Sequence, residues 1–165
     1  MDFKHRVISQ LNNEKDLILS ASDYFKEPSC AIESAVHFII DATINALNFQ
    51  CEHNKKTDEI FKIGRECAFL KFSTLFSADF HIVEKGRGIN SEIFGVTLVD
   101  TIDDIARQAQ VRNKTVNFLM ASITPAILSV LHVISEEEQY NNADLCNYLK
   151  VTSGNKSSIV KKMLN

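Results

Sequence analysis

From Thr115 to Ser135 the chain carries no Asp, Glu, Lys or Arg, and Pro125 stands at the middle of that stretch. About 20 predominantly apolar residues are enough to cross a bilayer as a helix, so the stretch is long enough to be a span. Apolar side chains recur at Val116, Leu119, Met120, Ile123, Ile127, Val130, Leu131 and Ile134, the spacing of one helix face. That stripe runs through Pro125 in register. Proline inside a helix costs roughly 3 kcal/mol, through a lost hydrogen bond and a clash with the carbonyl four residues back, here that of Ala121. The pattern therefore predicts a continuous helix near 114–135, kinked at Pro125 and bending around a core, rather than a helix that ends at Ile123 and restarts.

An internal match separates a membrane span from a buried core helix. Ile32, Ala35, Val36, Ile39, Ala46 and Leu47 align at an offset of 84 residues with Val116, Leu119, Met120, Ile123, Val130 and Leu131. The order of flanking elements repeats as well, which favours an old duplication over chance similarity of two core helices. Asp41 stands where the second copy has Pro125. The first copy, near 29–49, also carries Glu33 and His37, and ionisable groups in hydrocarbon are costly. Two equivalent helices in one fold share a solvent, so neither is expected to be transmembrane.

The remaining pattern is helical throughout. Residues 2–25 read as one helix interrupted near Asn12-Asn13, or as two short ones. Pro28 suits the start of the next helix, and Thr57 is placed to cap a third, with Asp58 and Glu59 in its first turn. That third helix is rich in phenylalanine: Phe61, Phe69, Phe72, Phe76 and Phe80. Gly86 and Gly88 predict a loop over 84–90. A helix near 97–109 follows, then the long helix with Asn113 as its cap, then a short one through Leu149 capped by Asn141 or Asn142, and a last short one. No segment sustains strand alternation. The expected fold is all-α, one multihelical domain over 1–165, with repeat one at about 14–80 and repeat two at about 91–164.

Composition narrows the function classes. Net charge is −3, which gives no general attraction to nucleic acid, and the N-terminus shows no apolar leader, so a cytoplasmic location is the expectation. Cys30, Cys51, Cys67 and Cys146 are widely spaced, without a CxxC pair. They read as reduced and mostly buried thiols. Cys51 with His53 lacks further ligands at any zinc spacing, so no metal and no cofactor is expected.

The segment "EIFGVTLVDTIDDIARQAQVRNKTVNFLMASITPAILSVL", followed by "NNADLCNYLK", resembles the bacterial YidB-like family, a domain of unknown function. The resemblance is carried by the Phe94-Gly95 turn, a short helix ending in Ile105-Ala106, Pro125 within a long helix, Leu131 six residues on, and the pair Leu145 and Leu149. It is clearest over 91–164 and weaker over 18–65, where Asp41 replaces the expected proline and glycine is scarcer than in the family. It implies a multihelical all-α fold and no transferable activity.

Chemistry-bearing residues are few. His5, His37, His53, His81 and His132 have no evident partner, and the helix-borne His37 and His132 are not equivalent in the repeat. Asp100 and Asp104 share a helix face at i, i+4, but a solvated acidic face with Arg107 pairing to Asp103 or Asp104 accounts for them more simply. The expected function is therefore a non-enzymatic helical module that binds an unidentified protein partner or forms a homo-oligomer. The expected ligand or partner surface comprises Phe69, Phe72, Phe76, Pro125 and His132. Two alternatives stand beside it: a pocket for a small apolar ligand or lipid between the repeated helices, opened by a kink at Pro125, and an enzyme using Asp100, Asp104 or a histidine.

Overall fold

The longest helix runs Asn113–Glu138, and every residue from Phe118 to Leu131 is buried. Fourteen consecutive buried residues cover all faces of a 3.6-residue repeat, so this helix lies inside the protein rather than along one side of it. The computed structural model describes residues 2–11, 14–53, 56–68 and 81–164, with backbone alone at 14–16, 81 and 154–164. All regular structure among these residues is helical: α1 (Phe3–Gln10), α2 (Glu14–Phe25), α3 (Ser29–Glu52), α4 (Thr57–Cys67), α5 (His81–Phe94), α6 (Leu98–Ala109), α7 (Asn113–Glu138) and α8 (Asn142–Leu164). A 3₁₀ turn over Gly95–Thr97 joins α5 to α6. The helices form one compact all-α domain in which α1, α3, α4, α5 and α6 all pack on α7.

Helix α7 continues through Pro125 without a break. Proline has no N–H, so the carbonyl of Ala121 loses its usual helical donor. Gly86 of α5 lies directly against that oxygen: a Cβ built on Gly86 would stand 1.7 Å from it. Only a residue without a side chain lets the two backbones meet there, with the glycine Cα hydrogens facing the unclaimed oxygen. One turn further along the same interface, the Thr124 hydroxyl lies 2.6 Å from Oδ1 of Asn90 and 2.8 Å from the carbonyl of Met120. Its single hydrogen serves one of these acceptors at a time. A second close approach holds α4, where a Cβ on Gly64 would come within 2.8 Å of the Leu128 carbonyl oxygen. Ala121 and Leu128 are two turns apart, so α5 and α4 grip successive levels of α7.

These contacts correct the expected loop. Residues 84–90 lie inside α5, because the packing of Gly86 on α7 outweighs the intrinsic cost of two helical glycines, about 1 kcal/mol each. The short final helices are also one, Asn142–Leu164. The expected caps are redistributed. Asn141 caps α8 through a reciprocal pair with Asp144, 2.9 and 3.0 Å. The Asn113 amide instead donates to Asp103, and α7 is capped from a distance by Glu27. One Glu27 oxygen accepts the Arg112 backbone N–H at 3.0 Å, and the other accepts the Thr115 hydroxyl. Thr57 is the first residue of α4, and its hydroxyl donates to the Gln50 carbonyl at 3.3 Å.

Several boundaries recur at one interval. Helices α2 and α6 start at 14 and 98, and α3 and α7 start at 29 and 113, each pair 84 residues apart. The residues that end α2 and α6, Lys26 and Gln110, both take left-handed φ values of 56° and 59°. The packing is crossed: α4 rests on α7, whereas α8 rests on α3.

Two glycine substitutions separate packing from propensity. Gly86→Ala should lower unfolding free energy by more than about 2 kcal/mol, since α5 must move off α7. Gly88→Ala, at an exposed helical site with nothing within 4 Å of the new Cβ, should raise it by roughly 0.5–1 kcal/mol. Urea denaturation of both variants checks the pair; equal effects would contradict the α5–α7 contact.

Candidate functional site

The C-terminal turn of α3 is where separate parts of the chain converge. Cys51 forms a disulfide with Cys146 of α8, their Cα atoms 5.6 Å apart across 95 residues of sequence. The Gln50 amide donates to the carbonyl of Ile93 at 3.0 Å, which fastens α3 to the end of α5. Lys56 reaches Glu92 at 2.8 Å, and this hydrogen-bonded pairing raises the Lys56 pKa above its ordinary value. Asn142 donates to Asp58, 2.6 Å, and so links the starts of α8 and α4.

Around this junction several apolar side chains face water. Phe49 is 53% exposed and stacks on the His53 ring with centroids 4.0 Å apart. The 3₁₀ turn that follows Ile93 carries Val96, 97% exposed, and the first turn of α6 carries Val99, 67% exposed. Val96 lies three residues past Ile93, whose carbonyl the Gln50 amide next to Phe49 reaches. Of the charged groups nearby, Lys56 and Glu92 pair with each other and Asp58 accepts from Asn142.

The residues expected from sequence lie elsewhere. Pro125 is buried within α7, four residues past the Ala121 carbonyl that Gly86 of α5 meets. His132 is half-buried on α7. Phe69, Phe72 and Phe76 lie outside the described residues. Asp100, Asp103 and Asp104 are exposed on α6, where Arg107 pairs with Asp104 at 2.7 Å as expected of a solvated face. His5, His37 and His53 sit on α1, on α3 and just past the end of α3, and the His81 side chain is not among those described. Among the described residues no group of three or more His, Cys, Asp or Glu is arranged to hold a metal ion.

The cysteines depart most from expectation. Cys51 and Cys146 are bonded, and Cys30 is exposed. A separation of 95 residues offers no local spacing cue, because it is the crossed packing of α8 on α3 that brings the two sulfurs together. Cys67 alone meets the expectation of a buried thiol, and burial pushes its pKa up to about 11 despite the nearby Lys85.

By length and composition α3 and α7 each pass as membrane spans; most of the apolar stretch of α7 is nevertheless buried within this fold, and less than half of that of α3. No protein-family model, no curated protein and no solved structure matches this chain.

The two free thiols should behave oppositely. Iodoacetamide at pH 8 should modify Cys30 readily and Cys67 at least about tenfold more slowly, because the thiolate is the reactive form and Cys67 holds its proton. Raising the pH from 9 through 11 should weaken the fold. The folded chain keeps the Cys67 proton in that window while the unfolded chain releases it. Mass spectrometry of the timed reaction checks this, and equal labelling of the two thiols would contradict the burial.

Proposed function

We propose that this chain is a non-enzymatic helical interaction module that associates with a second copy of itself or with another protein through the face about the C-terminal end of α3. The observation that carries this reading is the grouping of exposed Phe49, Val96 and Val99 around one junction, without convergent polar chemistry beside it. The alternative of an apolar-ligand pocket needs space beside Pro125. At that level the backbone of Gly86 lies against the Ala121 oxygen, which favours the interaction reading.

The chain also reads as a divergent duplication. The shared interval of 84 residues between α2–α3 and α6–α7, and the paired left-handed residues Lys26 and Gln110, support it. Helices α4 and α8 begin 85 residues apart, consistent with one extra residue in the second connection. The resemblance to the YidB-like bacterial family draws support from Gly95 with φ of 56°, from Pro125 inside a continuous helix, and from buried Leu145 and Leu149. Helix α6 continues to Ala109, past the Ile105-Ala106 of that pattern. The net charge of −3 speaks against nucleic acid as the partner, and the nearly complete packing of α7 speaks against a membrane span; a cytoplasmic location completes the reading.

Sedimentation velocity tests self-association. The native chain at about 100 μM, a concentration that populates even a ~10 μM contact, should sediment as a dimer. The variant Phe49→Ser/Val96→Ser/Val99→Ser should sediment as a folded monomer. A native chain that stays monomeric and captures no protein partner would sink the proposal, and so would a variant that associates as the native chain does.

A further inference from the structure

The Cys51–Cys146 bond spans the interface between α3 and α8, which is built differently from the interface between α4 and α7. Helix α4 meets α7 through Gly64, which touches the Leu128 carbonyl directly. At the 85-residue interval that relates the starts of α4 and α8, the position of Gly64 is taken in α8 by Leu149. Leu149 is fully buried, so a bulky side chain occupies the position that a glycine holds in α4. Among the described residues, α8 is held besides the disulfide by buried Leu145, Leu149 and Ser153, by Tyr148 edge-on to Phe3 with centroids 5.8 Å apart, and by the Asn142–Asp58 bond. Its outer face, with Asn147, Lys150 and Val151, is exposed.

Both bonded cysteines are half-buried rather than enclosed in the core. Neither free cysteine competes for them. Cys67 is buried and keeps its proton. Cys30 sits 21 residues before Cys51 on the same helix α3, about 31 Å away along its axis. The pair is thus isolated from exchange within the molecule.

We propose that the Cys51–Cys146 disulfide is a reversible redox clamp: oxidised, it holds α8 on α3, and reduced, it lets α8 lift away while the core around α7 stays folded. The proposal rests on the cytoplasmic reading above, since disulfides in a reducing compartment are typically transient or redox-sensing. The reductant is a dithiol. Its thiolate attacks one sulfur of the pair, the S–S bond breaks, and the released cysteine takes a proton while a mixed disulfide forms. The second thiol of the reductant then displaces the other cysteine. Two electrons and two protons end on Cys51 and Cys146, and the dithiol leaves as its own disulfide. Lifting α8 uncovers the stripe of α3 that precedes Cys51 at helical spacing, Leu47, Ile44 and Ile40, all buried in the clamped state.

Hydrogen exchange followed by mass spectrometry tests the clamp on the full chain, air-oxidised, treated with dithiothreitol, and as the variant Cys51→Ser/Cys146→Ser. Peptides from α8 should exchange at least tenfold faster in the reduced and variant proteins, with α7 peptides unchanged in all three. Unchanged α8 exchange would overturn the proposal, and so would loss of protection across α7, which would make the bond a global staple instead. Native, unreduced protein in which Cys51 and Cys146 are both alkylated would overturn it as well. Sedimentation of the same three proteins reads self-association separately, so a change in α8 exchange at constant oligomeric state belongs to the clamp.

Discussion

The contact between Gly86 and the carbonyl of Ala121 organises much of this molecule. Pro125 takes away the donor that would have satisfied that carbonyl, and an unsatisfied oxygen inside a helix bundle is costly unless something polar or a backbone edge meets it. A glycine on a neighbouring helix can come close enough, and any side chain would keep it away. With α5 seated there, Asn90 falls beside Thr124, and α7 is covered at its middle. Helix α4 repeats the device two turns on, with Gly64 at Leu128. A helix that looks like a membrane span by its composition is thereby enclosed by its own chain.

Crossed packing follows from that centre and accounts for where the chain ties itself together. Because α8 lies on α3 and α4 on α7, the end of α3 meets the starts of α4 and α8 and the end of α5 within one small region. That region holds the disulfide, the Lys56–Glu92 pair and the exposed Phe49, Val96 and Val99. The opposite junction is held differently. There Glu27, with only 10% of its side chain exposed, caps α7 and pairs with Arg112, whose guanidinium also donates to the Phe25 carbonyl. One junction is fastened by a buried carboxylate and the other by a covalent bond, so only the second answers to redox conditions.

Helical periodicity made most of the architecture legible. The stripe from Val116 to Ile134 located α7, and α3 carries Asp41 where it meets Lys4 at 2.9 Å. What escaped was whatever depends on two distant segments meeting. Gly86 and Gly88 look alike in sequence, yet one is a contact and the other faces open space. Glu27 caps a helix that starts 86 residues later, and Cys51 finds a partner 95 residues away; neither leaves a local pattern. The exposed Phe49 was hidden for a related reason, since a phenylalanine on an apolar helix reads as core until the packing faces are known.

Native-state hydrogen exchange along α7 measures the central claim most directly. If the helix is enclosed on all sides and continuous through Pro125, its amides from Leu119 to Leu131 should exchange only through global unfolding, with one common free energy and one denaturant dependence. Separate and faster exchange on the two sides of Pro125, or protection on one helix face alone, would contradict it.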